Sequence, residues 1–430
     1  MPARKNTRFK TALSGAALEI SDHKLGSGGQ ASVFRGTLGG REVAVKVFSP
    51  QYVGAELARR VQEVIYLGSP DKRFVWPVDF VWQGDILAVV MPLIPKDYST
   101  IAELLGLHVQ PSFAVVTWVC FNLADAFFSL HLRGLCYLDI NRNNFQFCSR
   151  TGAIAICDNE NVAVNRSGYP SITTPSYMAP ELGRGETCCT ITTDLHSLGV
   201  TLFEILFFAH PLLGQKENAV SCLKAEDAHS LLCDRPIFIF HPTDKSNRPD
   251  RQVHAAALRY WPIYPAFIRD FFTRHFTRGI EKGHESERVR EVEWRDAFVA
   301  LGDSLFKCTC GAEVFFDAAA ADQTCWHCAR KLRRPLRLRL AGKHEIVLEP
   351  NATVLFPHHI GGSEYDFSKP LAHVVADRSG KRIGMKNVST HKWMAKHTND
   401  SLVDVLPGAT LELSPGMTIH FPTGEAHVVA

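Results

Sequence analysis

The chain has 430 residues, of which 46% are hydrophobic and 21% charged, and its formal net charge is +3. This composition is that of a globular protein and excludes a disordered one, and so small a charge argues against nucleic-acid binding. The length allows about two to four domains. The longest apolar run that we recognise, residues 195–209, is too short to span a bilayer, and residues 1–10 lack the apolar stretch of a secretory signal.

The chain divides into regions of different pattern. Residues 1–15 are expected to form a loose tail, and residues 16–305 contain strand-like segments followed mostly by helix-like ones. Residues 306–332 are rich in cysteine, and residues 333–430 consist of short apolar runs broken by Gly, Pro, Asn and Asp, which predicts an all-β domain. The basic residues between 330 and 339 are interpreted as a linker with solvated charges.

A glycine-rich segment begins the first large region. Leu25-Gly26-Ser27-Gly28 continues to Val33 as strand, turn and strand, and glycines let a backbone approach phosphate groups and donate hydrogen bonds to them. A plain hairpin is the alternative. The next apolar strand, Val43-Ala44-Val45-Lys46, ends in a lysine that needs an anionic partner, because a buried ammonium is costly without one.

A helix-like segment at residues 54–67 offers two carboxylates to Lys46. Glu63 lies in the middle of the helix and is our choice of partner, while Glu56, seven residues earlier on the same face, is the alternative. The remaining interpretation is that both are solvated surface charges.

Two polar motifs follow. In Tyr137-Leu138-Asp139-Ile140-Asn141-Arg142-Asn143-Asn144 an aspartate precedes an asparagine by five residues, and Asp158-Asn159-Glu160 follows an apolar strand. An aspartate at the first position can accept the proton of a hydroxyl. The amide oxygen of an asparagine and the carboxylate of the second aspartate are of the kind that binds magnesium.

Further motifs follow in chain order: Tyr177-Met178-Ala179-Pro180-Glu181, Asp194-Leu195-His196-Ser197-Leu198-Gly199-Val200, and Arg288 before Trp294. With the segments above, they resemble a bilobal α+β protein kinase of the eukaryotic Ser/Thr type. The resemblance implies an N-lobe at residues 16–93, a C-lobe at residues 94–305, and a structural ion pair between Glu181 and Arg288.

The same resemblance implies the roles of the site residues. Asp139 would be the catalytic base, Asn144 and Asp158 the magnesium ligands, and Lys46, positioned by Glu63, would orient the phosphates of ATP. The residues implied to surround ATP are Leu25, Gly26, Gly28, Val33, Ala44, Lys46, the gatekeeper Met91 and the hinge residue Leu93.

The chain departs from the family pattern at several positions. Tyr137-Leu138 replaces the usual His-Arg, Asn141 replaces a lysine, Asn159-Glu160 replaces Phe-Gly, and Ala31 replaces the third glycine. Because Lys46, Asp139, Asn144 and Asp158 all remain, we favour an active kinase over a catalytically dead scaffold. The segment before Glu181 favours a protein substrate over a small molecule, and Ser171, Thr173 and Thr174 are conceivable autophosphorylation sites.

Four of the twelve cysteines are clustered. Cys308 and Cys310 form one pair and Cys325 and Cys328 another, a spacing that suits tetrahedral coordination of a structural zinc ion. A disulfide, or a redox role for the second pair, is the alternative, and His327 could replace one cysteine. The scattered cysteines are typical of a reducing cytoplasm, where we expect the protein to act.

The last hundred residues weakly resemble a forkhead-associated (FHA-like) β-sandwich. The expected phosphate-binding arginine is missing near Phe356-Pro357-His358-His359, so we favour a protein-docking domain over a phosphopeptide-binding one. A kinase followed by a four-cysteine zinc ribbon and an FHA-like domain resembles the bacterial kinases of tellurite-resistance-type (TerY-P-like) phosphorylation triads. That resemblance implies a von Willebrand A-domain protein as substrate and an opposing PP2C-type phosphatase, with neither nucleic acid nor membrane as partner.

Overall fold

The computed structural model describes residues 7–168, 173–219, 222, 224–340, 345–362, 364–380 and 382–430. It forms two compact units. The first consists of Met1–Pro111, Trp118–Leu258 and Phe271–Arg295, and the second of Ser112–Thr117, Arg259–Asp270 and Asp296–Ala430. The division does not follow the expected boundary near residue 305, because three stretches before it belong to the second unit: Ser112–Thr117, Arg259–Asp270 and residues 296–305.

The first unit begins with a six-stranded antiparallel sheet in the order β1-β2-β3-β4-β6-β5. Its elements are β1 Thr7–Lys10, β2 Ala17–Ser27, β3 Ala31–Leu38, β4 Arg41–Phe48, α1 Ala55–Leu67, β5 Asp79–Gln83 and β6 Ile86–Met91. One face of α1 carries Ala58, Val61 and Val64, which are buried, as the spacing of an amphipathic helix requires. Strand pairing places Met91 opposite Ala44, which brings the predicted gatekeeper next to the predicted ATP site.

Residues 7–15 do not form the loose tail that we expected. β1 pairs with β2 from Thr7 opposite Ile20 to Lys10 opposite Ala17. The turn that follows is held by the buried carboxylate of Asp79, which accepts hydrogen bonds from the backbone of Leu13 and Ser14. The short polar sequence of β1 hid this edge strand, since the sheet rather than an apolar pattern stabilises it.

The rest of the first region is mainly helical. Its elements are β7 Tyr98–Thr100, α2 Ile101–Leu105, α3 Phe113–Leu132, β8 Leu135–Tyr137, β9 Phe145–Cys148, β10 Ile154–Ile156, β11 Val162–Val164, α4 Pro180–Gly183, α5 Ile191–Phe207, α6 Gln215–Asn218, α7 Ala225–His229, α8 Ala255–Tyr260, α9 Ala266–Phe276 and α10 Glu291–Asp303. Helix α5 is capped by Thr190 and is buried from Thr193 to its end. Gly199 is required there, because a Cβ atom would lie 2.3 Å from Nε2 of His275.

Helix α3 has the length and composition of a membrane-spanning helix, with a mean hydropathy of 1.7 over its most apolar window, so our statement that no such run exists was wrong. More than half of that window, 56%, is buried inside the protein. Its Asp125 is paired with Arg73 and Arg295. The core helix of a soluble protein meets the same criterion, so this is weak evidence for a membrane.

The second unit contains a short hairpin, β12 Leu305–Lys307 and β13 Glu313–Phe315, and a domain of two sheets. The strands of that domain are β14 Arg337–Leu340, β15 Glu345–Val347, β16 Val354–Leu355, β17 Ala372–Ala376, β18 Ile383–Asn387, β19 Trp393–Lys396, β20 Leu402–Val405, β21 Thr410–Glu412, β22 Thr418–Phe421 and β23 Gly424–Val429. One sheet runs β15-β14-β23-β22-β19-β20 and the other β16-β17-β18-β21. The predicted all-β domain is therefore present, with Trp393 and Met417 in its core.

The basic run before this domain is not solvated throughout. Arg337 begins β14 and is 2% exposed. Its guanidinium lies 4.5 Å from the ring centroid of Phe316 and 2.6 Å from a carboxylate oxygen of Glu345. A cation–π contact and an ion pair thus compensate for its burial, which the charge pattern alone did not indicate.

Candidate active site

A cavity of about 970 Å³ lies in the first unit, beside the glycine-rich turn. All eight residues that we expected around ATP line it: Leu25, Gly26, Gly28, Val33, Ala44, Lys46, Met91 and Leu93. Asp139, Asn144 and Asp158 line the same cavity. The folded chain thus brings the glycine turn, the lysine and three of the predicted polar residues to one space.

Lys46 is paired with Glu160 and not with Glu63, which corrects our assignment. Its ammonium contacts the carboxylate of Glu160 and lies 2.9 Å from Oδ1 of Asp158. Glu63 instead forms an ion pair with Arg59 at 2.7 Å, and 44% of its side chain is exposed. Burial alone would lower the pKa of Lys46, but the two carboxylates raise it above its ordinary value and keep the ammonium charged.

The loop that carries Glu160 is held by hydrogen bonds on both sides. Asn159, which stands where the family has phenylalanine, donates from Nδ2 to the carbonyls of Val75 and Ile156, both at 2.9 Å. Arg60 of α1 donates to the carbonyl of Glu160 at 3.0 Å. Helix α1 therefore positions Glu160 through its backbone, although it does not supply the carboxylate that meets Lys46.

Asp139 is fixed by the segment that precedes Glu181. Its Oδ1 accepts hydrogen bonds from the backbone N–H and the hydroxyl of Thr174, at 2.9 and 2.8 Å. Asn144 donates to the carbonyl of Asp139 at 2.9 Å. The Thr173 hydroxyl donates to the carbonyl of Leu138, so both threonine hydroxyls that we named as phosphorylation sites make internal hydrogen bonds. Ser171, the third, lies outside the described residues.

Asn141 cannot replace the missing lysine. It is 3% exposed, donates to the carbonyl of Asp139 and accepts from the backbone of Asn143. The side chain of Asn141 thus makes hydrogen bonds within its own loop. Leu138, at the position of the missing arginine, is buried in an apolar cluster with Cys136 and Ala163.

A buried polar network lies beneath residues 137–144, the loop that carries Asp139. Asp194 accepts from the backbone N–H of Tyr137 at 2.6 Å, and His131 lies between Asp194 and Glu291. Burial alone would lower the pKa of His131, but the two carboxylates raise it to about 9, so the imidazole is charged at neutral pH. The hydroxyl of Tyr137 donates to the carbonyls of Cys157 and Asp158 and so joins this network to the Asp158 loop.

The predicted structural ion pair is confirmed. Arg288 and Glu181 form two parallel hydrogen bonds of 2.7 Å, and the side chain of Arg288 is fully buried. Arg288 also donates to the carbonyls of Gly279 and Thr192. This fork-to-fork pair fixes the start of α4 to the segment before α10.

The second unit contains the cysteine cluster. The Sγ atoms of Cys308, Cys310, Cys325 and Cys328 all lie within 4.8 Å of one another. The distances from Cys308 to Cys328 and from Cys310 to Cys325 are both 3.7 Å. Four thiolates at zinc–sulfur distances of about 2.3 Å would be about 3.8 Å apart, so the geometry fits zinc. Gly311 follows the first pair with a positive φ of 88°, a backbone conformation that glycine adopts without strain.

Residues 20–276 match the protein kinase domain family. The chain belongs to this family, as the sequence motifs predicted.

The curated relatives support a kinase of the Ser/Thr kind. The chain is 26% identical over 263 residues to the probable serine/threonine-protein kinase roco5 of Dictyostelium discoideum, covering 53% of this chain and 9% of that protein. It is 28% identical over 171 residues to the serine/threonine-protein kinase WNG1 of Toxoplasma gondii, covering 39% and 26% respectively. With the serine/threonine-protein kinase mos of Patiria pectinifera it shares 26% identity over 222 residues, covering 46% and 60%.

The chain thus spans less than two thirds of the length of these relatives. Among solved structures, the autoinhibited serine kinase domain of the giant muscle protein titin aligns with a TM-score of 0.49 and 16% identity, covering 64% of this chain and 78% of that one.

Glu160 is the functional residue that sequence reasoning missed. The signal was present, because an acidic residue stands two positions after Asp158 where the family has glycine. We noted Glu160 only as a departure from the family pattern and did not consider it as the partner of Lys46.

Proposed function

We propose that this protein is an ATP-dependent Ser/Thr protein kinase that transfers the γ-phosphate of ATP to hydroxyls of a partner protein or of itself. The observation that carries the proposal is that Lys46, Asp139, Asn144 and Asp158 all line one cavity together with the glycine-rich turn. Family membership and three Ser/Thr kinase relatives support it.

The donor set of the cavity fits a nucleotide with magnesium. Asn144 and Asp158 offer the amide and carboxylate oxygens that magnesium prefers, and the bound ion would neutralise the charge of the phosphates. The backbone at Gly26 and Gly28 is open to a ligand, since a Cβ atom added there would meet nothing within 4 Å. Lys46, charged and held by Glu160, would bind phosphate oxygens.

Asp139 would accept the proton of the acceptor hydroxyl. Thr174 binds its Oδ1, and the carboxylate still borders the cavity. Catalysis would then consist of positioning donor and acceptor and of compensating charge, as is general for phosphoryl transfer. Glu160 would act as a positioning residue, because it orients Lys46 without touching the acceptor.

The alternative is a weak or inactive kinase that serves as a scaffold. The inward-turned side chain of Asn141 favours it, because the lysine that it replaces would otherwise compensate charge on the transferred phosphate. We prefer the active kinase, since the four groups required for transfer are all present.

Incubation with labelled ATP and magnesium distinguishes an active kinase from an inactive scaffold. We expect the protein to label itself, or added casein or histone, and Asp139→Ala and Asp158→Ala to abolish the label. Nucleotide binding without any transfer by the wild-type protein would contradict the active kinase and favour the scaffold.

The second unit would supply recognition. We propose that the cysteine cluster holds a structural zinc ion and that the FHA-like β-domain docks a partner protein, for which a von Willebrand A-domain substrate and a PP2C-type phosphatase are our candidates. The support is the thiol geometry, the two-sheet architecture and the order of the domains. We also propose a cytoplasmic location, where thiols stay reduced.

A further inference from the structure

Arg142 lies on the side of the catalytic loop that faces away from the nucleotide cavity. Asp139, Asn143 and Asn144 line that cavity, whereas Arg142 does not. Its guanidinium points instead to α5, where Nη1 lies 3.5 Å from Oε1 of Glu204. The residue is therefore close to the catalytic base in sequence but is not placed to bind ATP.

Arg142 is connected through Glu204 to the segment that binds the carboxylate of Asp139. Glu204 also accepts a hydrogen bond from the hydroxyl of Tyr177. Tyr177 follows Thr174 by three residues, and Thr174 is bound to the carboxylate of Asp139. In the proposed reaction, a hydroxyl that gives its proton to Asp139 approaches from outside the nucleotide cavity, and Arg142 is the residue of this loop that carries a positive charge outside that cavity.

The charge of Arg142 is only loosely compensated. Its contact of 3.5 Å is longer than an ordinary N–H···O hydrogen bond of about 2.7–3.2 Å, and 45% of its side chain is exposed. Burial raises the pKa of Glu204 to about 7, against the opposing effects of Tyr177 and Arg142, so that this carboxyl is partly protonated near neutral pH. A guanidinium has five N–H donors, and the contact with Glu204 uses one of those of Arg142.

Arg142 is the one cation among residues 137–144. Asn141 and Asn143, its neighbours, are neutral. The positive charge of this loop thus comes from one guanidinium, a group that pairs readily with carboxylates and repels cations.

We propose that Arg142 sets the acceptor specificity of the protein, selecting Ser or Thr hydroxyls that have an acidic side chain beside them. The proposal rests on the kinase function proposed above and adds to it the chemistry of the substrate. The acidic group would form charge-assisted hydrogen bonds with the guanidinium, whereas a basic side chain at the same position would be repelled.

Matched peptides test this specificity. A serine peptide is made with Glu, Ala or Lys at each flanking position in turn, and kcat/KM is measured with the full-length protein. At one position or more we expect kcat/KM for the Glu peptide to exceed that for the Lys peptide by about twofold to fivefold, the size of one partly exposed ion pair. Arg142→Ala should bring this ratio close to one, and Arg142→Glu should reverse it.

Arg150→Ala is the matched control. Arg150 is also an arginine paired with one carboxylate, Asp97, and 77% of its side chain is exposed, but it lies in the turn between β9 and β10. Its replacement should leave the ratio unchanged. Equal use of Glu and Lys peptides by the wild type, or an acidic preference that survives in Arg142→Ala, would overturn the proposal while the kinase function stands. If the wild type labels no peptide, casein or histone, the kinase function itself fails, and the specificity fails with it.

Discussion

Lys46 and Glu160 form a buried ion pair between the strand that ends at Phe48 and the loop that carries Asp158. The two residues are 114 positions apart in the chain. The carboxylate that pairs with Lys46, which is proposed to bind phosphate, and the carboxylate proposed to hold magnesium thus belong to one short loop.

Replacing Glu160 with Gln should lower kcat/KM for phosphate transfer by about a hundredfold, because a misplaced Lys46 no longer orients the phosphates. The free energy of unfolding should fall by about 1–3 kcal/mol, since a buried ammonium loses its closest anion. Glu63→Gln is the matched control and should change neither quantity appreciably. Equal losses in the two variants would argue that α1 supplies the working carboxylate after all.

The hydroxyl of Thr174 should be needed for full catalytic activity. Thr174→Val removes the donor that binds Oδ1 of Asp139, and we expect kcat to fall about tenfold to a hundredfold because the base is less well oriented. Thr174→Ser keeps the hydroxyl and should retain most of the activity. Steady-state kinetics with one acceptor compare the variants, and a Val variant as active as the Ser variant would disprove this role.

The pair of Arg288 and Glu181 should contribute to stability rather than to chemistry. Arg288→Met leaves Glu181 buried without its partner and should cost about 3–5 kcal/mol of unfolding free energy. Arg278→Met, which breaks a half-exposed pair with Glu281, should cost less than about 1 kcal/mol. Adding Glu181→Leu to Arg288→Met should recover part of the loss. Thermal unfolding checks the series, and similar effects of the two single variants would contradict the expectation.

His131 should make stability depend on pH. Its pKa is about 9 in the folded protein and near 6.5 when unfolded, so its contribution is complete below about pH 6.5 and is lost as the pH rises through about 9. At 1.36 kcal/mol per pKa unit the contribution is on the order of 3 kcal/mol. The difference in unfolding free energy between the wild type and His131→Gln should therefore shrink from pH 6 to pH 10 by about this amount. A constant difference would show that the imidazole is not charged.

Removal of zinc should destabilise the second unit. We expect about one zinc ion per chain by elemental analysis, as for a site of four cysteine ligands, and its loss in Cys325→Ser. Cys222→Ser, at an exposed cysteine elsewhere, should keep the metal. Chelation should lower the unfolding temperature of the wild type but not that of Cys325→Ser. Wild-type protein without zinc after preparation in zinc-containing medium would contradict the proposed site.

Local spacing predicted those parts of the structure that depend on short segments. The five-residue interval from Asp139 to Asn144 and the order of the later motifs were enough to predict the kinase domain, and the Cys spacing was enough to indicate four converging thiols. The pairing of Lys46 was not predictable in this way, because two carboxylates at helical spacing stood nearer in sequence than Glu160. The choice among these three carboxylates requires their distances from the ammonium of Lys46 in the folded chain.

Contacts between residues distant in sequence were the other source of wrong predictions. Arg337 belongs to a basic run that usually faces water, yet Phe316 and Glu345 make its burial favourable. The strand Thr7–Lys10 has too few apolar residues to be recognised, and its pairing with β2 is visible only in the sheet. In each case a contact distant in sequence outweighed a local preference.

The position of Glu160 on a loop, and not on helix α1, has a consequence for inhibitor design. In protein kinases generally, this lysine pairs with a glutamate on a helix, so a compound that displaces that helix would break the pair. Here the lysine's counter-ion lies on the loop after β10, so displacement of α1 would act on the pair through the hydrogen bond from Arg60 to the backbone of Glu160. A molecule that displaces the Asp158–Glu160 turn, by contrast, would remove a proposed metal ligand and the lysine's partner in one movement.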